Sequence, residues 1–231
     1  MINPLTHRIT WFVALLLVGL TGSAHARDYL IEVVLFETIA GKESNSGGLY
    51  YPKQGRPLRL DSEAALAAGF KTVSDGLTLS DNATSIAKSG RYRVLRHFAW
   101  RQPGLDENTA IPIQISLGAS MPLYLPDDIK PYDNFIPASA EATPDRPRMI
   151  NTTTVNGSIK VRLGRFLHME ASLVFTDADT QQSYRLSQSR KMRSRELHYI
   201  DNPRFGLLTR ILPLEDKQSS TIESGNAAVS Q

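Results

Sequence analysis

The chain has 231 residues, no cysteine and a formal net charge of +3 at pH 7. The lack of thiols excludes structural disulfides and thiolate chemistry, so the fold must be stabilised by burial of apolar side chains. The length is sufficient for one large domain or two small ones with such a core.

The first 26 residues have the pattern of an export signal. Arg8 precedes an apolar run at residues 11–20, and residues 24–26 form an A-x-A cleavage pattern. The run is shorter than the roughly 20 residues that a membrane-spanning helix needs. A serine stands where a lipoprotein signal requires cysteine, which leaves no thiol for a lipid anchor. We therefore expect a soluble periplasmic protein that is cleaved after Ala26 and has no membrane span.

Residues 27–125 predict strands interrupted by two short helices. A nearly continuous apolar run at 29–37 is rich in β-branched residues and is typical of a buried central strand. Asp61 and Gly69 have the character of a helix N-cap and a helix stop. Pro112 cannot donate to a ladder, so its strand should lie at an edge or contain a bulge. The other predicted elements are two strands, at 91–100 and 110–118, and two helices, at 60–70 and 80–88.

Residues 148–214 predict antiparallel strands almost throughout. They follow a segment at 126–147 that contains five prolines and is typical of a linker or a long surface loop. A hairpin around Gly164 is followed by strands at 183–192, 196–200 and 205–212. The polar tail at 215–231 has the composition of a disordered segment.

The alternation of apolar residues fixes the register of the hairpin. Pairing Leu163 with Leu167 places the apolar positions of both strands on one face. This register requires a three-residue connection, Gly164-Arg165-Phe166. It also places two pairs on the polar face: Lys160 opposite Glu170, and Arg162 opposite His168.

Together these elements predict an α+β fold that is mainly antiparallel β-sheet. The two short helices belong to its N-terminal half. The β half at 148–214 is expected to pack on the α+β half at 27–125.

Four long blocks follow one another along the chain: EVVLFE, YRVLRHFAWRQPG, NGSIKVRLGRFLHMEASLVF and YRLSQSRKMRSRELHYIDNPRFGLLTRI. In these blocks the sequence resembles the CsiV family of periplasmic peptidoglycan-binding proteins from gamma-proteobacteria, over most of the stretch from Tyr29 to Leu212. The resemblance implies a non-catalytic protein that binds the wall and supports peptidoglycan assembly. One route that it implies is contact with the outer-membrane lipoprotein that activates a bifunctional penicillin-binding protein. It supplies no binding residues, so these must be found from their chemistry.

Basic side chains are concentrated in the second half of the chain. Residues 27–145 carry 12 basic and 15 acidic side chains, whereas residues 146–210 carry 12 basic and 5 acidic ones. Such a region predicts an anionic partner, and in the periplasm this is wall polymer, lipid headgroup or acidic protein rather than nucleic acid. The alternative is a solvated strand face.

Trp100, Arg101 and Gln102 end a strand just before a proline turn, where recognition residues often lie. An indole can pack against a sugar ring, and a guanidinium can bind the carboxylate of a stem peptide. The alternative is that Trp100 fills the end of the core together with Phe98.

The second candidate is the run at residues 190–195, which contains four cations. It predicts a contact with wall carboxylates or with an acidic protein, and the alternative is the solvated tip of a hairpin. Asp201 and Asn202 are expected to stabilise a turn, which leaves Arg204 for a ligand. The candidate ligand-binding residues are Trp100, Arg101, Gln102, Arg190, Lys191, Arg193, Arg195, Tyr199 and Arg204.

An enzyme would need a different constellation. His168 and Glu170 lie about 7 Å apart on one strand face, and with His198 they could bind zinc in an amidase or a peptidase. The HExxH and G-x-S-x-G motifs are absent from the sequence. We therefore predict no catalytic residue, no metal and no cofactor. A wall hydrolase and a pure protein adaptor remain the alternative functions.

Overall fold

The computed structural model describes residues 27–39, 57–124 and 149–214. The predicted signal at 1–26, the proline-rich segment at 126–147 and the predicted tail at 215–231 lie outside the described residues. The elements are β1 (Asp28–Thr38), α1 (Glu63–Ala67), β2 (Lys71–Val73), α2 (Ser80–Lys88), β3 (Tyr92–Pro103), β4 (Ile113–Tyr124), β5 (Met149–Leu163), β6 (Leu167–Thr176), β7 (Ser183–Met192), β8 (Leu197–Asp201) and β9 (Phe205–Pro213). Among the helices of the described ranges, none is long and apolar enough to cross a membrane.

The strands form two antiparallel sheets. Sheet A has the order β2-β3-β1-β9-β8, and sheet B has the order β4-β5-β6-β7. The predicted fold class, mainly antiparallel sheet with two short helices, is confirmed. The two sequence halves are interleaved, because β4 joins the later strands in sheet B while β8 and β9 join the earlier strands in sheet A.

A single core lies between the sheets. Ile31, Val33 and Leu35 alternate along β1 and are fully buried, as expected for a central strand. Met169 and Leu173 of β6 meet them from sheet B within the same apolar cluster. Burial of each such side chain stabilises the fold by about 1.5–3 kcal/mol, so the contact between the sheets is the main source of stability.

The register of the β5–β6 hairpin is confirmed. Leu163 pairs with Leu167, and the polar pairs Lys160–Glu170 and Arg162–His168 lie opposite each other as predicted. The Gly164 N–H donates to the carbonyl of Phe166 at 3.0 Å, which closes the three-residue connection. Local alternation was sufficient for this prediction because both strands contribute to one buried face.

Several element boundaries differ from the predicted ones, and two of the differences have a clear physical cause. Helix α1 is capped by Ser62, whose Oγ accepts from the Ala65 N–H at 3.2 Å, because Asp61 is bound to Arg59 instead. Strand β4 continues past Gly118, which has φ +90° at a bulge. A Cβ at Gly118 would lie 2.2 Å from the Thr154 Oγ1, so this glycine allows a close strand contact and does not end the strand.

Candidate functional site

Trp100 and Gln102 lie inside the molecule. The indole of Trp100 is fully buried, and its Nε1 donates to the Gln102 Oε1 at 2.8 Å. The Gln102 Nε2 donates to the carbonyl of Val161 at 3.3 Å, which links sheet A to sheet B. Phe98 stacks on the indole with ring centroids 5.9 Å apart. Trp100 and Gln102 therefore stabilise the interior and offer no surface to a polymer.

Arg204 is also buried, at the end of the sandwich. Its Nη1 donates to the Thr38 carbonyl at 3.1 Å, and its Nη2 donates to the Asp177 Oδ2 at 2.6 Å. The Glu37 carboxylate lies 3.4 Å away, and the guanidinium contacts the rings of Phe175 and Tyr184. Burial raises the pKa of Asp177, but backbone N–H groups and the Arg204 guanidinium outweigh it, so the net pKa is lowered.

These placements correct the predicted surface. Trp100, Gln102 and Arg204 have to be removed from it, because each is less than 5% exposed. Arg101 is exposed, but it is bound to Asp28 through its Nε at 2.6 Å. It also lies on β3, which β1 and β9 separate from β8, so it does not adjoin the basic run.

The basic run forms an exposed corner of the molecule. It lies at the end of β7 and in the connection to β8, where the chain crosses from sheet B to sheet A. The Lys191 Nζ lies 3.3 Å from the centroid of the Phe166 ring, which brings the β5–β6 turn and its Arg165 into the same group. We define the basic corner as Arg165, Arg190, Lys191, Arg193 and Arg195, which are all exposed.

The cations of the basic corner are largely uncompensated. Arg193 lies 3.5 Å from Glu196. Within the described ranges, no carboxylate lies within 4 Å of the other four side chains. Arg165 was missed by the sequence prediction, because the β6–β7 register that sets Leu167 against Met192 joins segments with no local signal.

Hydrogen bonds to backbone carbonyls hold the segments on both sides of the basic corner in place. Arg195 has φ +68°, and its N–H donates to the Ile211 carbonyl at 2.8 Å. The Gln188 Nε2 donates to the Asp201 carbonyl at 2.9 Å, which ties β7 to β8. The predicted turn role of Asn202 is confirmed, because its Oδ1 accepts from the Arg204 N–H at 2.7 Å.

Tyr199 points in another direction. It is 43% exposed on the face of sheet A that looks away from sheet B, and it stacks on Phe36 at 5.8 Å. Its hydroxyl donates to the Asp201 Oδ2 at 3.0 Å. Burial, followed by the neighbouring Asp201 carboxylate, raises the pKa of Tyr199.

The residues of the zinc alternative are not brought together. Glu170 is bound to Lys160 at 2.8 Å and to Arg162 at 3.0 Å on sheet B, whereas His198 belongs to sheet A. Burial raises the pKa of Glu170, but these two cations outweigh it and lower the net pKa. The described part of the chain contains no group of three residues that could hold a metal ion.

An S-x-x-K pattern, which occurs in penicillin-binding enzymes, is present at Ser85 and Lys88 of helix α2. Both side chains are exposed, and the Ser85 Oγ donates to the Asp81 carbonyl at 2.8 Å. Neither residue lines the cleft described below, so the pattern forms no nucleophile site there.

A buried carboxylate fixes helix α2 on sheet A. Glu32 is fully buried and accepts from the backbone N–H of Thr78 at 2.9 Å and of Leu79 at 2.8 Å. Its carboxylate also contacts the His97 Nε2 at 2.7 Å. Burial raises the pKa of Glu32, but hydrogen bonds from Thr78, Leu79 and His97 outweigh it, so the net pKa is lowered. This acid–histidine pair is therefore used to dock the helix.

A cleft of about 520 Å³ opens on the side of the sandwich opposite the basic corner. There the edge of sheet A formed by β2 and β3 faces the edge of sheet B formed by β4. The described residues that give the cleft its chemistry are Arg59, Asp61, Arg96, Phe98, Gln114 and Ser116. The sequence prediction missed this site, because its walls come from four segments, at residues 59–61, 72, 96–98 and 114–117, that only the tertiary fold brings together.

Fold and surface thus define an antiparallel β-sandwich with one cationic corner and one open edge cleft. A family model described as "Peptidoglycan-binding protein, CsiV" matches residues 8–214, and the chain belongs to this family. The family is a peptidoglycan-binding one, which suggests a place in the cell envelope. No curated protein and no solved structure matches the chain.

Proposed function

We propose that this chain is a non-catalytic periplasmic protein that binds peptidoglycan through the basic corner and supports cell-wall synthesis. Membership of a peptidoglycan-binding family supports the first part. The observation that supports the surface is a group of five exposed cations, of which only Arg193 has a carboxylate within 4 Å among the described residues. Like charges on one part of the surface repel each other, so an anionic ligand that neutralises them is favoured.

The chemistry of the wall fits this surface. Stem peptides carry carboxylates, which a guanidinium binds through two parallel hydrogen bonds and an ammonium binds as a point charge. Each exposed contact is weak, but a sacculus presents many copies of its repeating unit to one molecule. Binding should weaken with salt, since exposed charges are screened beyond about 8 Å at physiological ionic strength.

Sedimentation with isolated sacculi tests this proposal. The unchanged protein should pellet at low salt, and the variant with Arg190, Lys191, Arg193 and Arg195 all changed to glutamate should stay in the supernatant. The matched control reverses four exposed cations elsewhere: Lys71, Lys88, Arg91 and Arg185. If both variants pellet equally, the basic corner is not the wall contact.

The proposal includes a protein partner, an outer-membrane lipoprotein that activates a penicillin-binding protein. A wall contact at the basic corner leaves for such a partner the part of the outer face of sheet A that helix α2 does not cover. Leu197 and Tyr199 are 42% and 43% exposed on that face. A pull-down with the purified lipoprotein, in the absence of sacculi, should capture the unchanged protein. A negative result would remove this part of the proposal while leaving wall binding intact.

A further inference from the structure

The edge of strand β4 offers free hydrogen-bonding groups to the cleft. Leu58 pairs beside the start of β4 as a short parallel bridge: its N–H donates to the Pro112 carbonyl at 2.7 Å, and its carbonyl accepts from the Gln114 N–H at 2.8 Å. Backbone groups two residues apart on a strand point to the same side. The Gln114 carbonyl and the Ser116 N–H therefore also point outward, into the cleft.

Within the ranges that the structure describes, the chain does not continue this ladder. After Leu58 it turns away from β4, and the Ser62 N–H donates to the Arg59 carbonyl at 3.1 Å. No other described strand pairs with the outer edge of β4. The next acceptor and donor on this edge, the Gln114 carbonyl and the Ser116 N–H, thus match one residue of an extended chain laid beside β4.

The charges that line the cleft favour a carboxylate. Asp61 is bound to Arg59 by two hydrogen bonds of 3.1 and 2.8 Å, so these two charges compensate each other. Arg96 lies opposite Leu35 in the β1–β3 register, is exposed, and has no carboxylate within 4 Å among the described side chains. Arg96 therefore leaves the cleft with one uncompensated positive charge.

The floor of the cleft is apolar. Phe98 is partly buried there and is backed by the fully buried Trp100, which fixes the position of its ring. Pockets of this size that bind small ligands combine an apolar wall with a few polar groups. A short peptide with a small apolar side chain and a free carboxylate would pair with the edge of β4, bind the guanidinium of Arg96 and contact the ring of Phe98.

We propose that this cleft binds the stem peptide of peptidoglycan as a short extended chain. The peptide backbone pairs with the Gln114 carbonyl and the Ser116 N–H, and a free carboxylate binds Arg96. This inference rests on the proposed wall binding. It adds that the cleft is a second binding site, and that the stem peptide is the part of the wall that this site recognises. The basic corner then supplies long-range attraction, and the cleft supplies selectivity for peptide over glycan.

Fluorescence anisotropy with two labelled probes tests the assignment. One probe is stem peptide released from sacculi by an amidase, and the other is the remaining peptide-free glycan strand. We expect Arg96→Glu to weaken stem-peptide binding at least about tenfold, the cost of a lost charge-assisted hydrogen bond. Ser116→Pro, which removes the outward N–H together with the hydroxyl that lies 3.2 Å from the Thr153 Oγ1, should weaken it by about threefold to tenfold. Arg185→Glu, an equal charge reversal on β7, should change it less than about twofold.

The outcomes separate this inference from the proposed function. If Arg96→Glu and Ser116→Pro keep normal thermal midpoints and normal affinity for the stem peptide, the cleft is not the site. Binding of the glycan probe with no binding of the peptide overturns the choice of ligand. A protein that binds the stem peptide through Arg96 but never pellets with sacculi upholds the cleft and refutes the proposed function.

Discussion

Arg204 holds together the end of the sandwich where β1, β6 and β9 meet. Its guanidinium is paired with Asp177 and Glu37 in a site that is almost free of solvent. Removal of one partner from such a group leaves the others as buried charges without compensation.

We therefore expect Arg204→Ala to lower the free energy of unfolding by about 3–5 kcal/mol. Urea denaturation at pH 7 measures the loss. Arg190→Ala, in which an exposed arginine is truncated, is the matched control and should stay within about 0.5 kcal/mol. Equal values for the two variants would show that the buried ion group contributes nothing.

The opposite environments of Arg204 and Arg190 show where residue-level prediction stops. Both are arginines beside strand ends, and a charged residue in that position is exposed by default. Arg204 is buried because Glu37 and Asp177, at distant positions in the sequence, converge on it. The sequence around Arg204 gives no indication that these two carboxylates lie next to it in the fold. Trp100 is fully buried, which agrees with the alternative interpretation that it fills the end of the core.

At the scale of elements, helix α2 depends on one carboxylate of sheet A. Glu32 accepts hydrogen bonds from Thr78 and Leu79, the two residues before the helix begins. The net pKa of Glu32 is lowered in the folded protein, so its contribution to stability is complete above the ordinary value of 4.5. That contribution is lost as the pH falls below 4.5 and through the folded value.

Glu32→Gln should therefore destabilise the protein by about 1–3 kcal/mol at pH 7, with a smaller difference from the unchanged protein at pH 3 to 4. Urea denaturation across this range measures both quantities. The charged and titratable groups that face Glu32 are His97 and Arg210, so the same measurement on His97→Gln is the control. A difference that stays constant from pH 7 to pH 3 would contradict the role of the ionised carboxylate.

The prediction of elements succeeded where the residues in contact are close together in the sequence, and it failed where they are far apart. The β5–β6 register follows from alternation around Gly164, and helix α2 was predicted with the bounds that the structure shows. The two sides of the cleft could not be predicted, because Arg59, Arg96 and Gln114 come from three segments. No periodic pattern indicates that the edge of β3 faces the edge of β4.

On the scale of the whole molecule, the two sheets exchange strands between the sequence halves. Strand β1 of the first half pairs with β9 of the second, and β4 of the first half pairs with β5 of the second. Neither half can therefore complete a sheet or cover its apolar face alone.

We expect fragments 27–125 and 148–214 to be unfolded when separate and to regain β structure when mixed. Far-ultraviolet circular dichroism and amide dispersion in NMR spectra measure both states. The control is the same comparison on the intact chain. A fragment that folds cooperatively alone would show that the halves are independent domains, in spite of the shared sheets.

The pairing of β1 with β9 has a consequence for the order of events during synthesis. Leu30 lies opposite Leu212, so the central strand of sheet A can pair with β9 only after all the intervening strands have been synthesised. Contacts so distant in sequence form slowly, and the incomplete chain cannot close its core early. We therefore expect that sheet A stays incomplete in the nascent chain until β9 has been synthesised.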